Sequence, residues 1–564
     1  MSLFVVGTIA MVRPSLHLMS TSIPANLGDP ALITWILHWG AHSLTTAPVH
    51  YFSANIFWPH PSALAYSDLL TPLVPIYGLT YGLTHSWTVA IDTTVLFALS
   101  ASLAATYGLL RWLTGNRGAA IVGSFAFTFS GFTMSEWGHI QLDTLGLLPL
   151  GALMIGLVLE RRRLMHAVLL GVVNAMVVLA AIYYGVIWMV SLGIIVAGYL
   201  VVRRGRGGPR LARCLFVAAA VSALLTGPAA YKYLQLQRTE GHTRGYSPEL
   251  SLKARDLITP ANGSYLWSSL DPASGVQLRE HGFYPGFSVV ALAAVGAASL
   301  LSRGRRRTPP TEASADSALV DPSARSTMVG LLMAAGAMAL VLAVGPTVHG
   351  HAAPYRFFHD HVPGFAGIRV TARFAVVSLL AGAVLAAVGW QSIVERVARP
   401  RIAFVLSAAM LICVCVDLAA PLAWWKLPVD RPTLAVYRAL SHRPPGAVVE
   451  LPMGDPRAPE GGYPYIESPR MVYSTLDWHP RVNGYSAFVP STYLGDIDAF
   501  AALPATTGFD HAKTLAVRYL VLHVGDEHGY PAFSEEAASR IVAAAPTGSH
   551  SSRFGSSWLI DLGG

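Results

Sequence analysis

The feature that most restricts this chain is the alternation of long apolar blocks with short arginine clusters. Blocks of roughly 18 to 25 apolar residues recur along it, the length at which a helix crosses a bilayer core. Charged residues make up 12% of the 564 positions, and hydrophobic ones 53%. A soluble domain carries about a quarter charged residues, so the sequence describes a polytopic α-helical membrane protein. The formal net charge of +8 calls for no nucleic-acid partner, because most of it is Arg lying between the blocks.

Those arginines order the crossings. Lys and Arg in short loops mark the cytoplasmic side. Clusters stand at Arg161-Arg162-Arg163, at Arg203 to Arg213, at Arg303 to Arg307 and at Arg396 to Arg401. Between successive clusters the chain goes out and returns. About eleven transmembrane helices satisfy this parity: residues 3–11, 88–113, 119–132, 142–159, 164–182, 185–202, 211–229, 287–302, 328–345, 374–394 and 402–424. The N-terminus is then cytoplasmic, the protein is a multi-pass protein of the cell (inner) membrane, and everything beyond Lys426 is extracytoplasmic. The first block is abbreviated, and no clear signal peptide precedes Arg13. Residues 68–83 are apolar but interrupted by Pro72 and Pro75, and read as an interfacial or re-entrant segment. The three cysteines, Cys214, Cys413 and Cys415, all lie in apolar segments, where neither a disulfide framework nor a zinc site is visible.

Two domains follow: residues 1–426, a transmembrane domain with external loops at 22–86, 231–285 and 347–373, and residues 427–564, an extracytoplasmic C-terminal domain. The latter has β-like runs at 447–451, 519–523 and 557–561 and helix-like runs at 432–441 and 534–545, the pattern of a small α/β or α+β fold. The Ser/Pro/Ala-rich stretch 308–326 reads as a flexible cytoplasmic loop.

Chemistry is sought in the outward segments. Asp29, in Asn26-Leu27-Gly28-Asp29-Pro30, sits just outside the first span, and an ionisable group there is a functional-site hypothesis by default. Partial desolvation near Trp35 and Trp39 suits a general base. An N-cap role, with Pro30 opening the helix, is a compatible second reading. His38 and His42 are one turn apart on that helix and, with Asp29, are the candidates for a divalent cation (Mg or Mn); a plain polar face explains them as well. Asn55, His60, Tyr66 and Asp68 lie in an aromatic-rich stretch that suits either a sugar site or an interfacial belt. His139 and Gln141, in a turn at the outer end of a span pair, suit a phosphate or a sugar hydroxyl. Arg369 and Arg373 enter a span from outside, against the positive-inside trend. Their planar forks suit a phosphate, and snorkelling to headgroups is the alternative. Arg238, Arg244, Lys253 and Arg255 are weaker candidates for the same role.

Gly28-Asp29-Pro30 with Trp35 and Trp39, Asn55-Ile56-Phe57-Trp58-Pro59, His139-Ile140-Gln141, Tyr284-Pro285-Gly286, Ile368-Arg369 with Ala372-Arg373-Phe374, and Val482-Asn483-Gly484-Tyr485-Ser486 resemble the GT-C superfamily of integral membrane glycosyltransferases, and most closely its bacterial GT-C-like multi-span proteins. The resemblance spans nearly the whole chain. It implies a polyprenyl-phosphate-linked sugar donor, an outward-facing site, and a first-loop Asp acting as base or metal ligand, here Asp29. Many members carry a second acidic residue beside that Asp; this chain has Gly28 and Pro30.

The leading expectation is thus an inverting glycosyltransferase of cell-envelope glycan biosynthesis. Asp29 is its base, Arg369, Arg373 and His139 grip the donor phosphate, and Gln141, Asn55, His60, Tyr66 and Asp68 contact the substrate. The acceptor is an extracytoplasmic glycan, lipid or protein. The alternative is a non-enzymatic lipid-linked glycan transporter or an assembly or binding protein. Transport calls for charges deep in several spans, whereas Asp92, Asp143 and Asp417 fall near outer ends.

Overall fold

The computed structural model describes residues 2–12, 17–203, 208–241, 248–261, 263–270, 282–304, 324–348, 351–362, 364–458, 461–527 and 529–563. Arg244 and residues 308–323 of the Ser/Pro/Ala-rich stretch lie outside them. Each of the eleven apolar blocks is helical over most of its length. Among the described residues, eight helices are long and apolar enough to cross a membrane: Trp87–Thr114, Arg117–Ser135, Ile140–Arg161, Ile182–Val202, Gly208–Glu240, Ala324–Ala343, Thr371–Val394 and Pro400–Leu418. Ser2–Val12, Leu164–Ala180 and Phe287–Ser302 are shorter apolar helices. The segment with the two prolines forms a 3-10 turn, Thr71–Leu73, and a short helix, Val74–Thr84.

Two boundaries differ from expectation: the helix of the last block, 402–424, ends at Leu418, and the third loop starts later than residue 231. Residues 231–240 belong to the helix Gly208–Glu240, which runs through Pro228, and do not begin a loop. Tyr231 to Glu240 is polar, but its Lys, Leu, Gln and Arg are good helix formers.

The chain divides into two compact units. One comprises Met1–Leu16, Val95–Pro228 and Thr243–Leu422; the other His17–Thr94, Ala229–His242 and Ala423–Gly564. The first outward loop therefore groups with the C-terminal region.

In the first unit, small residues let helices approach closely. A Cβ on Gly296 would lie 2.1 Å from the Leu385 carbonyl oxygen, and one on Gly389 2.0 Å from that of Leu292. Asp417 is buried and accepts from Trp267 Nε1 (2.8 Å), Tyr284 Oη (2.7 Å) and the Ser288 amide (2.7 Å), which ties the third loop to two helix ends.

In the second unit, Ser22–Pro24 pairs antiparallel with Trp424–Lys426. A four-stranded sheet has Ala447–Leu451 parallel to Val517–His523, which pairs antiparallel with Ser557–Asp561, itself antiparallel to His550–Phe554. The first three strands coincide with the β-like runs because their residues alternate into a core of Val449, Leu451, Leu520, Leu522 and Ile560. The helix-like runs are Arg431–Leu440 and Glu535–Ala543.

A buried ionic network crosses this sheet. Glu450, on the first strand, accepts from Arg481 Nε (2.9 Å), Tyr437 Oη (2.7 Å) and His523 Nε2 (3.0 Å). Burial works to raise its carboxyl, but the His523 hydrogen bond and the Arg481 charge outweigh this and hold it at about 2. Glu467 differs. Its Oε1 accepts from the Gly454 amide (2.6 Å) and Asn483 Nδ2 (3.1 Å), while Oε2 is buried with no hydrogen-bond partner among the described residues. Burial lifts its carboxyl to about 7.

The two have opposite linkage. The folded state holds the Glu467 proton more tightly than the unfolded chain. That contribution is fully present below the ordinary glutamate value of 4.5 and is lost as pH rises through about 7. Glu450 contributes above 4.5 and fails as pH falls toward about 2. Thermal unfolding should therefore show the second unit losing stability between pH 5 and 8, and Glu467→Gln should flatten that decline. An unchanged pH slope in the variant would remove Glu467 as its source.

Candidate functional site

Asp29 is placed by its immediate neighbours. Asn26 Oδ1 accepts from the Gly28 amide at 2.8 Å, a side-chain turn that brings Gly28 to the N-cap of helix Asp29–Thr46. Pro30 then occupies the first turn, where its missing N–H is no loss. The amides of Ala31 and Leu32 reach the Gly28 carbonyl (3.1 Å each). Asp29 is thus the first helical residue and not the N-cap, so its carboxylate is not consumed in closing the helix. It is half-buried, and Tyr485 Oη donates to its Oδ1 at 2.7 Å.

Tyr485 is itself fixed. Its ring packs edge-on against Tyr463 (5.3 Å between centroids), whose hydroxyl donates to the Gly484 carbonyl at 2.6 Å. The helix Tyr463–Tyr473 also brings Pro464 and Tyr465 against Gly28. A partly shielded carboxylate, oriented by a phenol at a helix N-terminus, can accept a proton from a hydroxyl delivered to it. Tyr485→Phe removes a hydrogen bond to a charged acceptor. In the reaction proposed below it should lower kcat about tenfold, with the donor KM nearly unchanged; steady-state kinetics separate the two.

Other first-loop residues mainly hold the loop. Asn55 is buried. Its Oδ1 accepts from Trp35 Nε1 (3.1 Å) and its Nδ2 donates to Ser474 Oγ (3.0 Å). His60 Nε2 pairs with Thr492 Oγ1 at 2.8 Å. Tyr66 is buried edge-on to Phe57 (5.5 Å). Asp68 is half-buried, beside the Ser67 carbonyl that takes the Tyr233 hydroxyl (2.5 Å).

His38 and His42 share a face, as their spacing requires. His38 Nδ1 lies 3.3 Å from Tyr77 Oη, and burial pushes the imidazole down to about 3, so it stays neutral. His42 stacks on Trp478 at 3.9 Å. Among the described residues no three or more His, Cys, Asp or Glu side chains gather as a metal-ligand set. Asp29, His38 and His42 do not form one.

The other unit holds a second constellation. Glu136 Oε2 lies 2.9 Å from His139 Nδ1 and 3.4 Å from Arg373 Nη2. Arg373 is 6% exposed, with its guanidinium 4.9 Å above the Tyr183 ring. The Tyr183 hydroxyl accepts from the amides of Arg369 (3.0 Å) and Val370 (3.3 Å). The side chain of Arg369 is exposed, so this residue joins the cluster through its backbone. Gln141 Oε1 is buried with no hydrogen-bond partner among the described residues. The structure thus brings His139 and Arg373 together around Glu136 and Tyr183, two residues sequence reasoning passed over. Glu136 lies three residues before His139 in a stretch that reads as a helix-connecting turn, and Tyr183 falls between the apolar blocks 164–182 and 185–202. Of the weaker candidates, Arg238 lies in the helix Gly208–Glu240, and Arg255 and Lys253 flank the 3-10 turn Ala254–Leu257.

No protein-family model matches the sequence, and no curated protein matches it. Solved structures do. The mycobacterial arabinofuranosyltransferase AftD superposes with a TM-score of 0.58 at 15% identity, over 100% of this chain and 40% of that one. ArnT from Cupriavidus metallidurans, in a crystal structure bound to undecaprenyl phosphate, gives 0.47 at 12% identity, over 100% of this chain and 98% of that one. The chain therefore spans well under half the length of AftD. The chain shares the fold of the AftD region it superposes on.

Proposed function

We propose that the chain is a membrane glycosyltransferase that moves a sugar from a polyprenyl-phosphate donor to an extracytoplasmic acceptor, with inversion at the anomeric carbon. The observation that carries this reading is the half-buried Asp29 carboxylate, oriented by Tyr485, within a GT-C fold. In this reaction an acceptor hydroxyl attacks the anomeric carbon and its proton passes to Asp29. The bond from that carbon to the phosphate oxygen breaks, and polyprenyl phosphate leaves with the electron pair. Arg373 and His139 are assigned to the phosphate, with Glu136 and Tyr183 orienting them; a guanidinium is well shaped for such an anion. Arg369 is assigned the same role at the exposed edge of that cluster. Gln141, with its orphaned amide oxygen, is assigned to a sugar hydroxyl. Asn55, His60, Tyr66 and Asp68 support the loop that carries Asp29. Residues 427–564 are placed outside the membrane.

The test is transfer from synthetic polyprenyl-phosphate sugars by the full-length protein in lipid nanodiscs, with NMR of the product. The expected product carries the anomeric configuration opposite to the donor's. Retained configuration would refute the inverting mechanism, and absence of transfer from a broad donor panel the activity itself.

A further inference from the structure

We propose that Glu467 is a positioning residue for sugar transfer: it helps hold the segment Asn483–Tyr485 so that Tyr485 meets Asp29, and losing its proton loosens that contact. The inference rests on the transfer reaction proposed above.

One helix, Tyr463–Tyr473, grips the segment at three successive residues. Asn483 Nδ2 donates to Glu467 Oε1 (3.1 Å), Tyr463 Oη donates to the Gly484 carbonyl (2.6 Å), and the Tyr485 amide donates to Met471 Sδ (3.2 Å). Tyr485 Oη then reaches Asp29 Oδ1 at 2.7 Å. The same helix sets Pro464 and Tyr465 against Gly28, the residue before Asp29. Both ends of the phenol–carboxylate bond therefore depend on this helix. The Glu450 backbone holds Asn483 from the other side, its amide donating to Oδ1 (2.7 Å) and its carbonyl accepting from Nδ2 (2.8 Å). Residue 483 is thus anchored twice, and any loosening falls on Gly484 and Tyr485.

Glu467 is fully buried. Oε1 accepts from the Gly454 amide at 2.6 Å, with Arg470 Nη1 at 3.5 Å, and Oε2 has no hydrogen-bond partner among the described residues. A neutral carboxyl tolerates such a position far better than a carboxylate does. The groups that face it are Arg470 and Tyr463 on its own helix, Glu450 on the strand Ala447–Leu451, and Tyr493 on the helix Tyr493–Ala501. Arg470 is the one cation among these four, and it is also bound to Glu527 (2.9 and 2.5 Å). Burial, with Glu450 adding to it, outweighs Arg470 and lifts the carboxyl to about 7. Once ionised, Oε2 needs a donor. Tyr463 stands one turn earlier and packs with Glu467 against Gly454. Drawing its hydroxyl to Oε2 frees the Gly484 carbonyl and turns the ring on which Tyr485 rests. The contact with Asp29 is therefore intact at low pH and loosens as pH rises through about 7.

The experiment is transfer kinetics of the full-length protein in nanodiscs between about pH 6 and pH 8.5, with a thermal melt at each pH. NMR of protein carrying tyrosine isotope-labelled at Cζ is recorded alongside, the Tyr485 signal being assigned by its loss in Tyr485→Phe. Wild-type kcat should fall with rising pH toward the level of Tyr485→Phe, about tenfold lower, with donor KM nearly unchanged. The Tyr485 signal should move with the same midpoint. Glu467→Gln, neutral and of equal size, should abolish both steps, and Tyr485→Phe should abolish the kinetic one. A purely structural role would shift the melts and leave kcat of the folded protein without the step. A flat wild-type kcat, an unmoving Tyr485 signal, or either step persisting in Glu467→Gln would overturn the proposal. The NMR step in a wild type that transfers no sugar would refute the transfer reaction and support the link from Glu467 to Tyr485.

Discussion

Asp29→Asn should lower the rate of sugar transfer by roughly two to four orders of magnitude, the range a positioned general base supplies. The amide keeps the size of the side chain and can still accept from Tyr485, as the carboxylate does at 2.7 Å. Gly28, not residue 29, caps the helix. The variant should therefore fold, insert and melt like the wild type while losing kcat. Donor KM should change little, because the phosphate is assigned to Arg373 and His139. Turnover measured beside a thermal melt distinguishes this from simple unfolding. Wild-type turnover in a folded Asn variant would move the proton elsewhere.

Glu450→Ala should have the largest effect on stability. The carboxylate is 1% exposed and satisfies Arg481, Tyr437 and His523 together. Arg481 keeps Asp477, at 2.9 and 2.8 Å, but the Tyr437 hydroxyl and the His523 ring lose their acceptor inside the sheet. Breaking such a buried pair costs about 3–5 kcal/mol, or a fall in the melting midpoint of the second unit on the order of 10 °C. The exposed ion-pair group of Arg457 with Asp455 and Asp498 is the contrast. Arg457→Ala should barely move the same midpoint, since solvent screens exposed pairs. A midpoint in Glu450→Ala within a degree or two of wild type would show the network to be dispensable.

The helices were legible because crossing a bilayer demands apolar length, which shows in the sequence as long apolar blocks. The strand 447–451 was legible as a short β-branched run, and 557–561 from its flanking turn residues. Where polarity and helix propensity disagreed, at 231–240, the polar reading misplaced the helix end. Around the candidate site, local signals marked Asp29 and the His139 turn as candidates but gave no sign of what surrounds them. Tyr485 is 456 positions from Asp29, and Glu136 is 237 from Arg373. Pairings so remote leave no periodicity or spacing to read. Asn55 is a further case: its place in an aromatic loop suits a sugar site or an interfacial belt, and nothing local signals that its amide engages Trp35 and Ser474, the latter 419 positions away.

The central claim, that the Asp29 carboxylate takes the acceptor's proton, is tested most directly by chemical rescue. The measurement is the single-turnover transfer rate of Asp29→Ala with and without added formate, at constant ionic strength with chloride as the control. Recovery with formate and not with chloride is the predicted result. A rate close to wild type in Asp29→Ala with no formate present would contradict it.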